Sequence, residues 1–200
     1  MRKLLTLLAA TLLLFSCKKD KEDEKAQIFP LKEGNQWTFS VKEYDEDGTL
    51  TDTYNQTRVI KGTQKINNQT YFVVVDAEYP DDPIGLFRSD DTKIYSYDQD
   101  LEQEVNVFKW PATEGEVLFS KDLSIMKAEV VASTGSTTIN TYDSRKVTLN
   151  RYFMGEKTEY MELFVKPTVG PTGAAYYELN PSGSGYYKMS EEILTSFTLK

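Results

Sequence analysis

Along most of this chain, polar turn clusters recur every eight to fifteen residues, and the apolar positions between them alternate at a period of two. The first such segment is the clearest. Across residues 35–42, Trp37, Phe39 and Val41 share one face, while Gln36, Thr38, Ser40 and Lys42 share the other. Asp45-Glu46-Asp47-Gly48 then reads as a hairpin turn, with the glycine in the positive-φ position. A second strand is expected over 54–60, and Asn67-Asn68-Gln69 turns the chain again. Tyr71-Phe72-Val73-Val74-Val75 is continuously apolar, which predicts a strand covered on both faces near the middle of a sheet.

Turn clusters at Pro80-Asp81-Asp82-Pro83 and Ser89-Asp90-Asp91 bracket a short strand over 86–88, and another is expected over 93–97. Further strands are expected over 105–110, 126–132, 137–150, 158–166, 174–179 and 186–200, for ten to twelve in all. The only helical candidate is 190–197, where Ile193, Leu194 and Phe197 follow a Ser190 cap. Ile193, Thr195, Phe197 and Leu199 alternate equally well, and the threonines favour strand. With no break in composition and no repeat, the expected fold is a single all-β domain over 28–200. It would be an antiparallel meander forming a closed or partly open barrel, because closure removes exposed edges. A two-sheet sandwich is the alternative.

The first twenty-seven residues follow a different pattern. Arg2 and Lys3 precede an uncharged apolar run from Leu4 to Phe15, too short for the roughly 20 residues that span a bilayer. This is the layout of an export signal, assigned to residues 1–16. Leu14-Phe15-Ser16-Cys17 resembles a lipobox, with Phe15 a departure from the usual small or β-branched residue. The resemblance implies that Cys17 receives diacylglycerol before cleavage ahead of it, with palmitate among the acyl chains it carries. Residues 17–27 are dense in charge and without a large apolar residue, as expected of a disordered tether. Lysines followed by acids just after Cys17 also resemble the signal that sends lipoproteins of Bacteroidetes to the cell surface. The expected address is therefore an outer-membrane lipoprotein, surface-exposed, with a periplasm-facing one as the alternative.

Composition narrows the chemistry further. The chain carries 23 basic and 31 acidic residues, for a net charge of −8. Loss of residues 1–16 removes two bases and no acid, leaving 21 against 31 and a net charge of −10. Such a balance argues against nucleic acid as a partner and leaves the lipid anchor to hold the protein at its membrane. There is no histidine, and Cys17 is the sole cysteine. Ser-His-Asp and Cys-His nucleophiles and zinc sites built on His or Cys are therefore unavailable, and no cofactor is implied. Carboxylate chemistry, Lys or Tyr bases and oxygen-ligated cations remain.

Pro30-Leu31-Lys32-Glu33-Gly34-Asn35-Gln36-Trp37-Thr38-Phe39 resembles the opening strand of a group of secreted Bacteroidetes lipoproteins that begin Pro-Leu-x-x-Gly-Asn-x-Trp. Leu86-Phe87-Arg88-Ser89 with Lys93-Ile94-Tyr95-Ser96-Tyr97 is similar to the paired short strands in their middle, and 166–173 to a glycine-containing bend near their end. The resemblance implies location and β architecture and supplies no catalytic residue.

The candidate site residues are modest. Asp45-Glu46-Asp47-Gly48 lacks the spacing of a calcium loop. Asp81, Asp82, Asp90, Asp91, Asp98, Asp100, Glu102 and Glu104 offer carboxylates for a glycosidase pair, yet nearly all fall in expected turns. Ser124-Ile125-Met126-Lys127 matches Ser-x-x-Lys, without the companion motifs of that chemistry. The aromatic hairpin of Tyr176, Tyr177, Tyr186 and Tyr187 is the better candidate. Each doublet puts one ring on each face of the sheet, where rings stack on a ligand, line a barrel mouth or simply pair across the strands. Trp110, at a strand end before Pro111, is treated alike. The expected function is a non-enzymatic envelope lipoprotein whose β domain binds a glycan, a lipid or a surface protein. The alternatives are a carboxylate-dependent glycan hydrolase and a purely structural subunit.

Overall fold

The structure is a computed structural model that describes residues 28–200. The expected export signal, the Cys17 attachment site and the tether over 17–27 lie outside the described residues. Twelve strands follow one another: β1 (Gln36–Tyr44), β2 (Leu50–Ile66), β3 (Gln69–Asp76), β4 (Pro83–Ser89), β5 (Lys93–Asp98), β6 (Gln103–Lys109), β7 (Val117–Leu123), β8 (Met126–Ile139), β9 (Tyr142–Phe153), β10 (Glu156–Lys166), β11 (Gly170–Leu179) and β12 (Tyr186–Thr198). All belong to one antiparallel sheet ordered β6-β5-β4-β3-β2-β1-β12-β11-β10-β9-β8-β7. The first and last strands pair at its centre. The edges, β6 and β7, are consecutive in sequence and approach each other without exchanging a ladder, so the sheet curls into a barrel with one unsealed seam. This is the barrel expected from the removal of exposed edges, and not the alternative sandwich.

Differences from the sequence reading are local. Strand β7 carries no signal in the sequence pattern, because Val117-Leu118-Phe119 followed by Ser-Lys-Asp does not alternate. The expected strand over 137–150 is divided by a tight turn at Asn140, whose φ of 54° is a left-handed conformation that asparagine tolerates. The helical candidate over 190–197 is part of β12, laddered to β1 on one side and β11 on the other. Strand β3 is paired on both sides, and Tyr71, Val74 and Val75 are buried.

In an up-and-down barrel alternate turns lie at opposite ends. One end is closed by the segment before β1. Ile28, Phe29 and Leu31 are buried there. The Thr168 amide donates to the Ile28 carbonyl at 3.1 Å, and the Phe29 amide to Ser89 Oγ at 3.4 Å. Asn35 ties the closure together. Its Nδ2 donates to the Pro30 carbonyl at 2.6 Å, its Oδ1 accepts from the Lys200 amide at 2.8 Å, and its carbonyl accepts from the Ile60 amide at 3.0 Å. Trp37, 1% exposed, packs on Phe29 with ring centroids 5.1 Å apart and donates its indole N–H to the Val169 carbonyl at 2.7 Å. Gly170 is needed beside it: φ is 97°, and a Cβ would sit 2.6 Å from the Phe29 ring.

The Pro30-to-Trp37 motif is thus the plug of the barrel. Trp37→Phe keeps the ring and leaves the buried Val169 carbonyl without its indole donor. The expected loss is about 1–3 kcal/mol in urea unfolding, and a variant as stable as the parent would show that the hydrogen bond does not hold the plug.

Candidate functional site

Inside the barrel, above the plug, is a cavity of about 280 Å³, near the lower end of the roughly 300–1,000 Å³ typical of small-molecule sites. Period-two alternation builds its wall. Phe39 comes from β1, Val74 from β3, Phe87 from β4, Val107 from β6, and Leu163 and Val165 from β10, with Phe29 and Trp37 at the base. Ile84, at the start of β4 and 47% exposed, borders the cavity where it reaches solvent. It also borders a space of about 330 Å³ against Val105 and Leu149, and an open depression of about 650 Å³ rimmed by Tyr54, Asp76, Glu78, Tyr79 and Asp82. At the same open end the neighbouring β7–β8 and β9–β10 hairpins expose Ile125, Met126, Phe153 and Met154.

The charged residues of the wall stand at one place. Arg58 of β2 and Glu192 of β12 lie on the inner face, opposite Trp37 and Val41 of the β1 strand that separates them. Arg58 Nη2 donates to Glu192 Oε1 at 2.7 Å, and Nε and Nη2 donate to Gln56 Oε1 at 3.1 and 2.8 Å. The guanidinium also lies 4.8 Å from the centroid of the Phe39 ring. Glu192 is 9% exposed and is the one carboxylate among the described residues lining the cavity. Tyr176 of β11 lines the cavity beside the pair. Burial, and then the charge of Glu192, push its hydroxyl up to about 12, so it remains a proton donor at any physiological pH.

The four tyrosines of the aromatic hairpin are separated by the pleat. Tyr176 faces the cavity. Tyr177 stacks on Tyr160 on the outer surface, with centroids 4.4 Å apart and planes at 7°. Tyr186 meets the same Tyr160 edge-on at 5.1 Å and donates to the Lys157 carbonyl at 2.7 Å. Tyr187 donates to Glu178 Oε2 at 2.8 Å. Trp110 packs against the core with the Arg145 guanidinium 4.5 Å from its ring centroid, away from the cavity lining. Cross-strand pairing therefore accounts for Tyr177, Tyr186 and Tyr187.

The turn acids have local partners. Asp45 Oδ1 accepts from the Asp47 and Thr49 amides, Asp90 Oδ1 from those of Thr92 and Lys93, and Asp98 Oδ1 from that of Leu101. Glu104 is held by Arg88 and Tyr71. Ser124 sits in the β7–β8 turn while Lys127 donates to Glu129 at 2.6 Å.

Sequence reasoning missed Arg58, Gln56 and Glu192. The signal was present: Gln56 and Arg58 share the parity of buried Ile60, and Glu192 that of buried Leu194, so each polar residue stands at a core-facing position.

No family model matches the chain, and no curated protein matches it. Among solved structures, a Bacteroides fragilis protein classed as exported and having a YmcC-like fold aligns at 16% identity and a TM-score of 0.49, over 87% of this chain and 100% of its own. A Parabacteroides distasonis protein classed as a lipoprotein aligns at 13% identity and 0.45, over 86% and 99%. A LolA superfamily protein from Nitrosomonas europaea aligns at 12% identity and 0.36, over 86% and 89%. Likeness at this level carries nothing about activity.

Removing one partner of the buried pair should be far worse than removing both. Arg58→Met, which strands Glu192, should destabilise by about 3–5 kcal/mol, and Arg58→Met with Glu192→Leu should restore most of that loss. Urea unfolding of the two variants measures it; a double variant no more stable than the single one would contradict the pairing.

Proposed function

We propose that this chain is an envelope lipoprotein, exported by residues 1–16 and anchored through an acylated Cys17, whose barrel carries an apolar ligand in its interior. The observation that supports the reading is the cavity: a lumen with an apolar wall, plugged at one end and reaching solvent at the other. Empty apolar space inside a protein forfeits dispersion contacts on every lining side chain. A ligand that fills it recovers them. Of the ligand classes open to the sequence, a lipid-like molecule fits this wall better than a glycan, whose hydroxyls would meet few partners there. The exposed Ile125, Met126, Phe153 and Met154 add an apolar border at the open end.

The barrel's role is then carriage or sequestration. Glycan hydrolysis of the usual kind would need two facing carboxylates, and the one carboxylate lining the cavity is engaged by Arg58.

Two readouts on the full chain test this. Labelled palmitate should enter the parent in its source bacterium and be absent from Cys17→Ser. An uncharged fluorescent naphthylamine should bind the parent at one site per chain. Ala174→Phe fills the lumen from β11 and should weaken that binding at least about tenfold, or 1.4 kcal/mol, while the unfolding midpoint stays near the parental value. Undiminished probe binding by a folded Ala174→Phe would place the site elsewhere, and labelled Cys17→Ser would remove the anchor.

A further inference from the structure

The ligand reading leaves open what end group the apolar molecule carries, and the cavity's own charges decide it; the inference therefore rests on that reading and narrows it. Three observations bear on the choice. First, the polar spot is electrically complete. Arg58 and Glu192 neutralise each other at 2.7 Å, and Gln56 takes two further guanidinium N–H groups. A ligand carboxylate or phosphate arriving beside Arg58 would share the site with Glu192, and a ligand ammonium beside Glu192 would share it with Arg58. Either would leave one net charge in an otherwise apolar lumen, where an uncompensated charge is costly.

Second, the spot offers donors and an acceptor together. The Tyr176 hydroxyl and the guanidinium donate, and the Glu192 carboxylate accepts. A hydroxyl or a secondary amide uses both kinds of partner, an ester uses the donors, and none of them adds charge.

Third, the approach bears on anions. Asp76, Glu78 and Asp82 rim the depression that meets the cavity at Ile84. Like charges there lower the local concentration of anions. Anions are disfavoured at the rim and cations at Arg58.

We propose that the ligand is an uncharged amphiphile, an apolar chain with an ester, amide or hydroxyl head, seated with its head against Arg58, Glu192 and Tyr176 and its chain toward Trp37. Selection by head group is then a property of the Arg58–Glu192 pair, and changing that pair should change the selection.

The test compares decanoyl glycerol, decanoate and decylamine, equal in chain and different in head, by calorimetric titration of the full chain at pH 8. The parent should bind decanoyl glycerol at least about tenfold more tightly than either charged compound. Glu192→Gln keeps the shape, leaves Arg58 unopposed, and should narrow or reverse the preference over decanoate while widening that over decylamine. A parent that prefers decanoate or decylamine overturns the inference and leaves the cavity reading intact, as does a folded Glu192→Gln whose affinity ratios among the three compounds equal the parent's. Failure of all three compounds to bind overturns both. If Glu192→Gln does not fold, the parental ranking decides alone.

Discussion

A barrel's strand number fixes its width, and that relation governs what this molecule can do. Eight strands leave an interior that side chains just fill, while wider barrels enclose space. Twelve strands curl here around a lumen that Trp37, Phe39 and their neighbours line without filling. Two further features follow from that width. One end has to be stopped with a separate piece of chain, which is the work of residues 28–35 and the Asn35 clasp. The opposite end stays open unless another element covers it, and beside it Ile84 stands half exposed. Trp37 joins the two halves of this arrangement, since it packs on Phe29 of the plug and lines the floor of the cavity.

Within that lumen the Arg58–Glu192 pair is the feature hardest to account for by stability alone. Hydrophobic residues of similar volume in place of a buried pair are often neutral or stabilising, and this wall is otherwise well suited to them. On the outer surface charged residues have a simpler role. Glu191 is one residue away from Glu192 and on the opposite face. Burial opposes its ionisation, yet hydrogen bonds from Lys188, Tyr44 and Lys42 hold its carboxyl down at about 2, and the cluster bridges β1 and β12. Adjacent glutamates thus do different work because the pleat sends them to different sides. On the proposed reading, the charge retained inside serves recognition of the ligand's head group.

How much of this was legible in the sequence depended on whether the signal was local. Alternation such as that of Trp37, Phe39 and Val41 is imposed residue by residue and gives the all-β meander, while barrel and sandwich differ only in how the distant edges meet. Boundaries were less secure where one residue decides them, as at Asn140, or where a strand does not alternate, as in β7. Period two divides a tyrosine doublet between faces, but which ring meets the lumen depends on the register of β11 against β12 and on the bulge at Tyr176. The cavity itself was invisible, because it is a property of twelve strands closing together. Arg58 and Glu192 are 134 positions apart and become partners only after β1 and β12 pair.

The central claim is that an uncharged apolar molecule occupies the lumen, and Trp37 is placed to report it. With Trp110→Phe, Trp37 is the sole tryptophan, since the chain has two. Titration with a glycerol ester whose acyl chain is brominated near its end should quench that emission saturably, at one lipid per chain, with no quenching by the bromide ion alone. Lipid that binds while Trp37 emission stays unchanged would contradict the account, because it would be bound somewhere other than against the floor of the barrel.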